Sequence, residues 1–490
     1  MTTRPHGHRP HVVIIGAGIS GLATAYYLQK QAEEQGRDLV IHLVDRAPRA
    51  GGVISTVRED GFIVEGGPDS MLSYKPAGVR LLRELGLAEE IVGTSRENAG
   101  SFVYSRGELH PLPEGLTLMI PSKLGPLFRT RLISWRGKAR AALNILYAPS
   151  HNGRDISVAE FVEDHLGRET FERIVEPLFA GIYAGDARQL SLAATYPQLL
   201  DLERDHGSLL RGLILMRHRR GRMRRTRGTG GAGLTPFITL RTGLARLVEA
   251  LVDTLERSGV IFHLGRSVER VERRKVGDEN SRGLWRVYLR DAQPLDADVL
   301  VLALPAHGAA RILQDVDVPL AHVLRQIPYA SSATVSLAYR REDVRHPLKG
   351  YGFVVPRVEG RPLLACTWTS SKFPHRAPRG YVLFRTFFGR AGADDVVARS
   401  ESDLIALARS ELREIMGIDA VPTHAWAFRW QRGLPQYTVG HLDRVHVIEE
   451  RTRALGGLYL VGNAYRGVGI PDCIANGERV AREIVGQIAG

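Results

Sequence analysis

The sequence is poor in cysteine: Cys366 and Cys473 are the only two in 490 residues. They form no CxxC pair and no disulfide framework, which excludes a disulfide-stapled scaffold and a dithiol redox centre. Long apolar runs are missing too. No stretch approaches the roughly 18–20 residues that a bilayer-crossing helix needs. The first ten residues are rich in Pro, His and Arg and lead into no apolar core, so no secretory signal is expected. No nucleic-acid-binding module and no internal repeat is present, and nucleic acid is not an expected partner. These absences predict a cytoplasmic protein, soluble or peripheral at the inner face of a membrane.

What is present is an ordinary globular composition with a basic surplus. Hydrophobic residues make up 44%, the level of a folded chain. The length suits two or three domains. Lys plus Arg number 66 and Asp plus Glu 53, so the net charge is 66 − 53 = +13. Such a surplus serves an anionic membrane face or an acidic small molecule as readily as nucleic acid. Arg217–Arg227 holds seven arginines and no apolar face. It reads as a solvated loop or as a contact with a membrane face or partner.

Local pattern places a βαβ unit at the start. His11–Ile15 is a continuous apolar run of the kind that forms a buried parallel strand. A helix is expected from Ile19 to about Gln35, and a second strand over Asp38–Asp45. Between them lies Gly16-Ala17-Gly18-Ile19-Ser20-Gly21, which fits GxGxxG. The first glycine permits the tight turn, the second lets backbone approach a pyrophosphate, and the third allows close helix–strand packing. The helix N-terminus offers free N–H groups and a positive dipole to phosphate. Asp45 stands where a carboxylate can hold ribose hydroxyls. Further strands are expected at Val299–Leu304, through about 330–390, and at Gly457–Val461. The stretch from about 91 to 231 reads as mostly helical.

Arg49-Ala-Gly51-Gly52 resembles the Arg-x-Gly-Gly signature of the amine oxidase-like flavoproteins. Those proteins often carry a basic residue where this chain has Val53, which argues against a typical amine oxidase. Several later segments resemble porphyrinogen oxidases, especially the bacterial coproporphyrinogen III oxidases. They are Gly66-Gly67-Pro68-Asp69-Ser70, Leu178–Gly185, Ala365–Thr369, Phe373–Pro378, Arg429-Trp430 with Leu434–Tyr437, and Gly467–Cys473. Their shared order covers residues 11 to 480.

The resemblance implies an α/β fold. A discontinuous Rossmann-like FAD-binding domain would occupy residues 10–90, 232–303 and 432–490. A helical subdomain would span 91–231, and an inserted α+β substrate domain 304–431. It implies non-covalent FAD, with contacts at Gly16 to Gly21, Asp45, Arg46, Gly51, Gly52, Gly67, Pro68, Asp69, Ser70, Val268, Trp430, Val468, Gly469 and Ile470. Trp430 reads equally as core, and Val268 as a plain strand residue. Cys473 is expected to be buried packing rather than a flavin attachment point. Lys75, Ile182 and Phe387 are the candidate substrate contacts, each of them also readable as surface or core. No catalytic base and no metal is expected.

The implied activity is oxygen-dependent oxidation of coproporphyrinogen III to coproporphyrin III, a six-electron reaction that yields hydrogen peroxide. A ferrochelatase would take the product onward. Protoporphyrinogen IX is the alternative substrate; Ser101 stands where mitochondrial-type protoporphyrinogen oxidases tend to carry an arginine. More remote readings are an amine oxidase, a carotenoid desaturase, or a binding scaffold without activity.

Overall fold

A computed structural model describes residues 9–117, 120–121, 124–143, 151, 153–206, 234–274, 284–392 and 395–489. The arginine run Arg217–Arg227 lies outside the described residues.

The chain opens as expected, with β1 (His11–Ile15), helix α1 (Ile19–Glu34) and β2 (Val40–Asp45). Three distant segments complete a parallel sheet: β3 (Ile261–Leu264), β4 (Val299–Leu302) and β5 (Leu458–Leu460). The order is β3-β2-β1-β4-β5, with β1 paired to both β2 and β4. Side chains alternate between the two faces. Val12, Ile14, Leu43 and Val301 pack with α1, helix Ala245–Arg257 and the C-terminal helix Ile470–Ala489. Val13, Ile15, Val44 and Leu300 pack with Trp285 and its antiparallel meander, Val268–Arg273, Trp285–Leu289 and Leu295–Ala297. Both faces are covered, which is why these strands read as unbroken apolar runs. Each fully buried Val, Leu or Ile contributes roughly 1.5–3 kcal/mol.

The C-terminal helix lies close against α1. A Cβ at Gly477 would sit 2.9 Å from the Thr24 backbone nitrogen, so only glycine permits this approach.

A second sheet has seven strands, in the order His424–Pro435, Tyr329–Arg340, Tyr381–Phe388, Leu363–Trp368, Gly352–Val354, Phe102–Ser105, Glu108–Pro111. All its pairings are antiparallel except Gly352–Val354 with Phe102–Ser105. The last two strands come from the stretch that reads as mostly helical in sequence. Arg106 and Gly107, both at positive φ, close them into a two-residue hairpin. Helices from Leu124 to His206 build their own apolar cluster around Phe161, Phe171 and Phe179.

Candidate active site

The glycine-rich turn separates two kinds of constraint. Gly16 has φ +110°, and a Cβ there would lie 2.3 Å from the Ala303 carbonyl oxygen. A Cβ at Gly21 would lie 1.9 Å from the Gly16 carbonyl oxygen. The polypeptide itself demands these two glycines. Gly18 is different. It caps α1 with φ −73° and ψ 178°, extended backbone open to any residue, and a Cβ there meets nothing within 4 Å. The space in front of Gly18 is therefore open. No side chain caps the first turn of α1. Its free N–H groups and the open space fit a pyrophosphate.

Neighbouring segments close around this turn. The Gly51 N–H donates to the Ala17 carbonyl at 2.8 Å, and Gly18 and Gly51 form a parallel bridge. Gly51 and Gly52 take φ +103° and +57°, which favours glycine at both. Arg49 staples the bend by donating to the Gly52 and Ile54 carbonyls. Asp45 accepts from the Ala17 N–H at 2.7 Å and the Ala47 N–H at 2.8 Å. Its carboxylate is thus aimed at the turn, and each oxygen keeps further acceptor capacity. The Arg266 N–H donates to the Asp45 carbonyl, bringing the buried Val268 to the same end of the sheet, while Arg46 is exposed.

Gly66 to Ser70 is held by a set of buried and partly buried charges, of which sequence reading nominated Asp69 alone. Arg385, 3% exposed, donates to the Gly66 and Gly67 carbonyls. Asp69 pairs with Lys372 at 2.9 Å and accepts from Ser70 Oγ at 2.6 Å. Arg376 pairs with Glu65 at 2.8 Å, and Glu65 also accepts from Thr56 and the Leu244 N–H. Burial alone would raise the Asp69 pKa, yet Lys372 and Arg385 hold it well below the usual carboxylate range. Burial pushes the Arg385 guanidinium down. Arg385 Nε has no partner among the described residues, which leaves one buried donor for a ligand or a water. Trp430 donates its indole N–H to the Gly66 carbonyl at 2.9 Å, so it braces this loop. The signal for Arg385 was present: an arginine in the middle of the apolar strand Tyr381–Phe388 is almost never buried unless paired.

Lys75 sits in an ion pair with Asp472, Nζ to oxygen at 2.6 Å. This joins the loop after Ser70 to the C-terminal loop of Val468, Gly469 and Ile470. Val468 packs on the helical cluster and Ile470 on the nucleotide-side core. Cys473 is 4% exposed, and burial pushes its thiol up to about 11. A thiol held protonated is a poor nucleophile toward flavin. Phe387 packs against Ala180, Leu364 and Ala365. Ile182 is 40% exposed near the end of helix Glu176–Tyr183, the helix that carries Ala180. The two candidate ring-packing residues therefore lie on elements that both pack on strand Leu363–Trp368.

The family described as flavin containing amine oxidoreductase matches residues 19–485. The chain belongs to this family. Among the relatives of this flavoprotein are the coproporphyrinogen III oxidase of Bacillus subtilis (strain 168) and that of Staphylococcus aureus. The first is 37% identical, over 96% of this chain and 97% of the relative. The second is 31% identical, over 97% and 99%. A crystal structure of an Exiguobacterium protein assigned as a protoporphyrinogen oxidase superposes with a TM-score of 0.84 at 34% identity, covering 98% of this chain and 99% of that one. The cofactor of this flavoprotein is FAD, and the open cradle at Gly18 fits it.

Three histidines give the fold a pH dependence. His441 is fully buried, stacks on Tyr437 and meets the Tyr465 carbonyl at 3.0 Å; burial pushes it down to about 4. His42 is pushed down to about 4 by burial, then by His263 and His11. His375 reaches about 4 through burial, then Arg376 and Arg241. In the unfolded chain each takes a proton near its ordinary 6.5, so the unfolded state binds protons first as pH falls. The melting temperature is expected to drop between pH 6.5 and 4. Thermal melts at pH 7.5, 6 and 5 test this, and a midpoint that holds or rises on acidification contradicts it.

Proposed function

We propose that this protein is the FAD-dependent oxidase that converts coproporphyrinogen III to coproporphyrin III in haem biosynthesis. The observation that carries this reading is the end-to-end relation to coproporphyrinogen III oxidases, which spans the nucleotide turn and the second sheet alike. FAD, when bound, would supply the two-electron acceptor: three hydrides from bridging carbons and three protons would leave the macrocycle, and three molecules of dioxygen would end as three of hydrogen peroxide. The chain's own work is binding, orientation and exclusion of water. Gly16 to Gly21 and Asp45 would hold the pyrophosphate and ribose, Arg46 and Val268 the adenosine end. Gly51, Gly52, Gly67, Pro68, Asp69, Ser70, Trp430, Val468, Gly469 and Ile470 would seat the rest of FAD. Ile182 and Phe387 would pack the macrocycle, and a surplus of basic side chains would draw in its four carboxylates.

Segments 10–90, 232–303 and 432–490 form the FAD part in this reading, and 304–431 the substrate part, to which strands Phe102–Ser105 and Glu108–Pro111 are joined. The same reading includes a downstream ferrochelatase and a cytoplasmic location with peripheral contact at the inner membrane face, supported by the net charge of +13. Among the described residues, no helix is long and apolar enough to cross a membrane.

Porphyrin fluorescence is the test, with purified FAD-loaded protein and each porphyrinogen supplied separately in air. Faster turnover of coproporphyrinogen III is expected. Activity confined to protoporphyrinogen IX overturns the substrate assignment.

Lys75 is half-exposed, at 39%, and can meet a propionate alongside Asp472. A pair this exposed is worth roughly 0.2–1 kcal/mol. Lys75→Met is therefore expected to leave the melting temperature nearly unchanged and to raise KM for coproporphyrinogen several-fold. An unchanged KM removes Lys75 from the substrate site.

A further inference from the structure

Away from the flavin loops, the helical unit encloses three potential metal ligands. His151 is 7% exposed, and Glu203, on helix Pro197–His206, is also 7% exposed. His165, on helix Val158–Leu166, is fully buried. Among the described residues, this is the one group of His, Cys, Asp or Glu whose ligand atoms all lie within 4.8 Å of one another. We propose that His151, His165 and Glu203 bind a divalent transition metal of the Zn2+ class.

The geometry converges on Glu203 Oε2. It lies 3.0 Å from His151 Nδ1 and 3.3 Å from His165 Nε2. A tetrahedral ion with ligand bonds near 2.0–2.2 Å sets neighbouring ligand atoms about 3.3 Å apart. Two of the three edges are therefore already close to those of a coordination shell, and the third pair of ligand atoms lies within 4.8 Å.

The surroundings orient the ligands. His151 Nε2 lies 3.1 Å from Asp164 Oδ2. An imidazole that ligates through one nitrogen while donating the other N–H to a carboxylate is the usual support for a metal-bound histidine. The other Glu203 oxygen, Oε1, accepts from the His151 backbone N–H at 2.7 Å, which turns Oε2 toward the two rings. Phe161 lies against both rings, at centroid distances of 4.4 and 5.8 Å, and shields the site on that side. Asp164 is 49% exposed, so the cluster has a route to solvent along it. Imidazole and carboxylate donors suit Zn2+ and Co2+ rather than Ca2+ or Mg2+. The bound ion would tie residue 151 to two helices. No local motif marks it, because His151 and Glu203 stand 52 positions apart.

Metal binding is tested on the full-length, FAD-loaded protein after chelator treatment and dialysis. One Zn2+ per chain is expected to survive gel filtration, with a rise of several degrees in melting temperature. Co2+ in its place is expected to give tetrahedral d–d bands at wavelengths beyond the flavin absorption. Asp164→Asn, at a half-exposed position, is expected to weaken Zn2+ roughly 10–100-fold. Glu203→Gln is expected to abolish the Co2+ bands. If Glu203→Gln does not fold, the wild-type Co2+ spectrum and Asp164→Asn decide. Wild-type protein that retains no metal and shows no such bands overturns the proposal. So does binding that Asp164→Asn leaves unchanged, because the metal then sits elsewhere.

Discussion

Gly18→Val is expected to give a folded polypeptide that no longer retains flavin. The polypeptide tolerates the change, since backbone at φ −73° and ψ 178° suits valine and a Cβ there touches no protein atom within 4 Å. The open space it fills is the approach to the first turn of α1, where a pyrophosphate would take the free N–H groups. Losing that approach forfeits the helix-end attraction, up to about 2 kcal/mol, and adds a steric clash. An affinity loss of at least roughly 100-fold is the expected outcome, equivalent to about 2.8 kcal/mol. Flavin absorbance per polypeptide, read beside a thermal melt, separates binding from folding. Gly21→Val is the contrast: its Cβ would lie 1.9 Å from the Gly16 carbonyl oxygen, so folding itself should fail. A fully flavinated Gly18→Val protein would contradict the assignment of this turn.

Lys372→Met removes the cation from the partly buried pair under Gly66–Ser70. Lys372 and Asp69 are 12% and 18% exposed at 2.9 Å, and the Lys372 ammonium also lies over the Phe373 ring at 5.1 Å. Asp69 is left ionised with Arg385 as its main remaining counter-charge. Breaking one side of a fully buried pair costs about 3–5 kcal/mol and of an exposed pair about 0.2–1 kcal/mol, so this partly buried pair is expected to lose about 2 kcal/mol. The double variant Lys372→Met with Asp69→Asn removes both charges and should recover much of that loss. Urea unfolding midpoints measure the stability, and the temperature of flavin release reads the loop. A single variant that loses under about 1 kcal/mol, or a double variant no better than the single, contradicts a charge-coupled loop.

The proposed nucleotide half of the site was legible as a structural unit because its pattern is local. A buried strand, a glycine turn, a helix and an acid follow one another within 35 residues, from His11 to Asp45. Each of those residues is chosen by its own backbone conformation or by its nearest neighbours. Arg49 to Gly52 were legible for the same reason, since paired glycines at positive φ mark a backbone that must bend. The hairpin at Phe102–Pro111 was harder to place. Its own pattern suits a strand, but its partner, Gly352–Val354, lies some 250 residues away.

Sequence by itself determined the βαβ unit and its glycine-rich turn over His11–Asp45, and its resemblance to porphyrinogen oxidases set the expectation of FAD and substrate. Periodicity and turn chemistry are properties of neighbouring residues, so they survive without a fold. Tertiary structure alone decided what holds the remaining loops. Asp69 meets Lys372 across 303 positions, Lys75 meets Asp472 across 397, and Glu203 gathers two histidines from other segments. Such charges carry no mark of their partners in sequence. Burial raises the cost of leaving them unpaired, and only the packed core brings the partners within hydrogen-bonding distance.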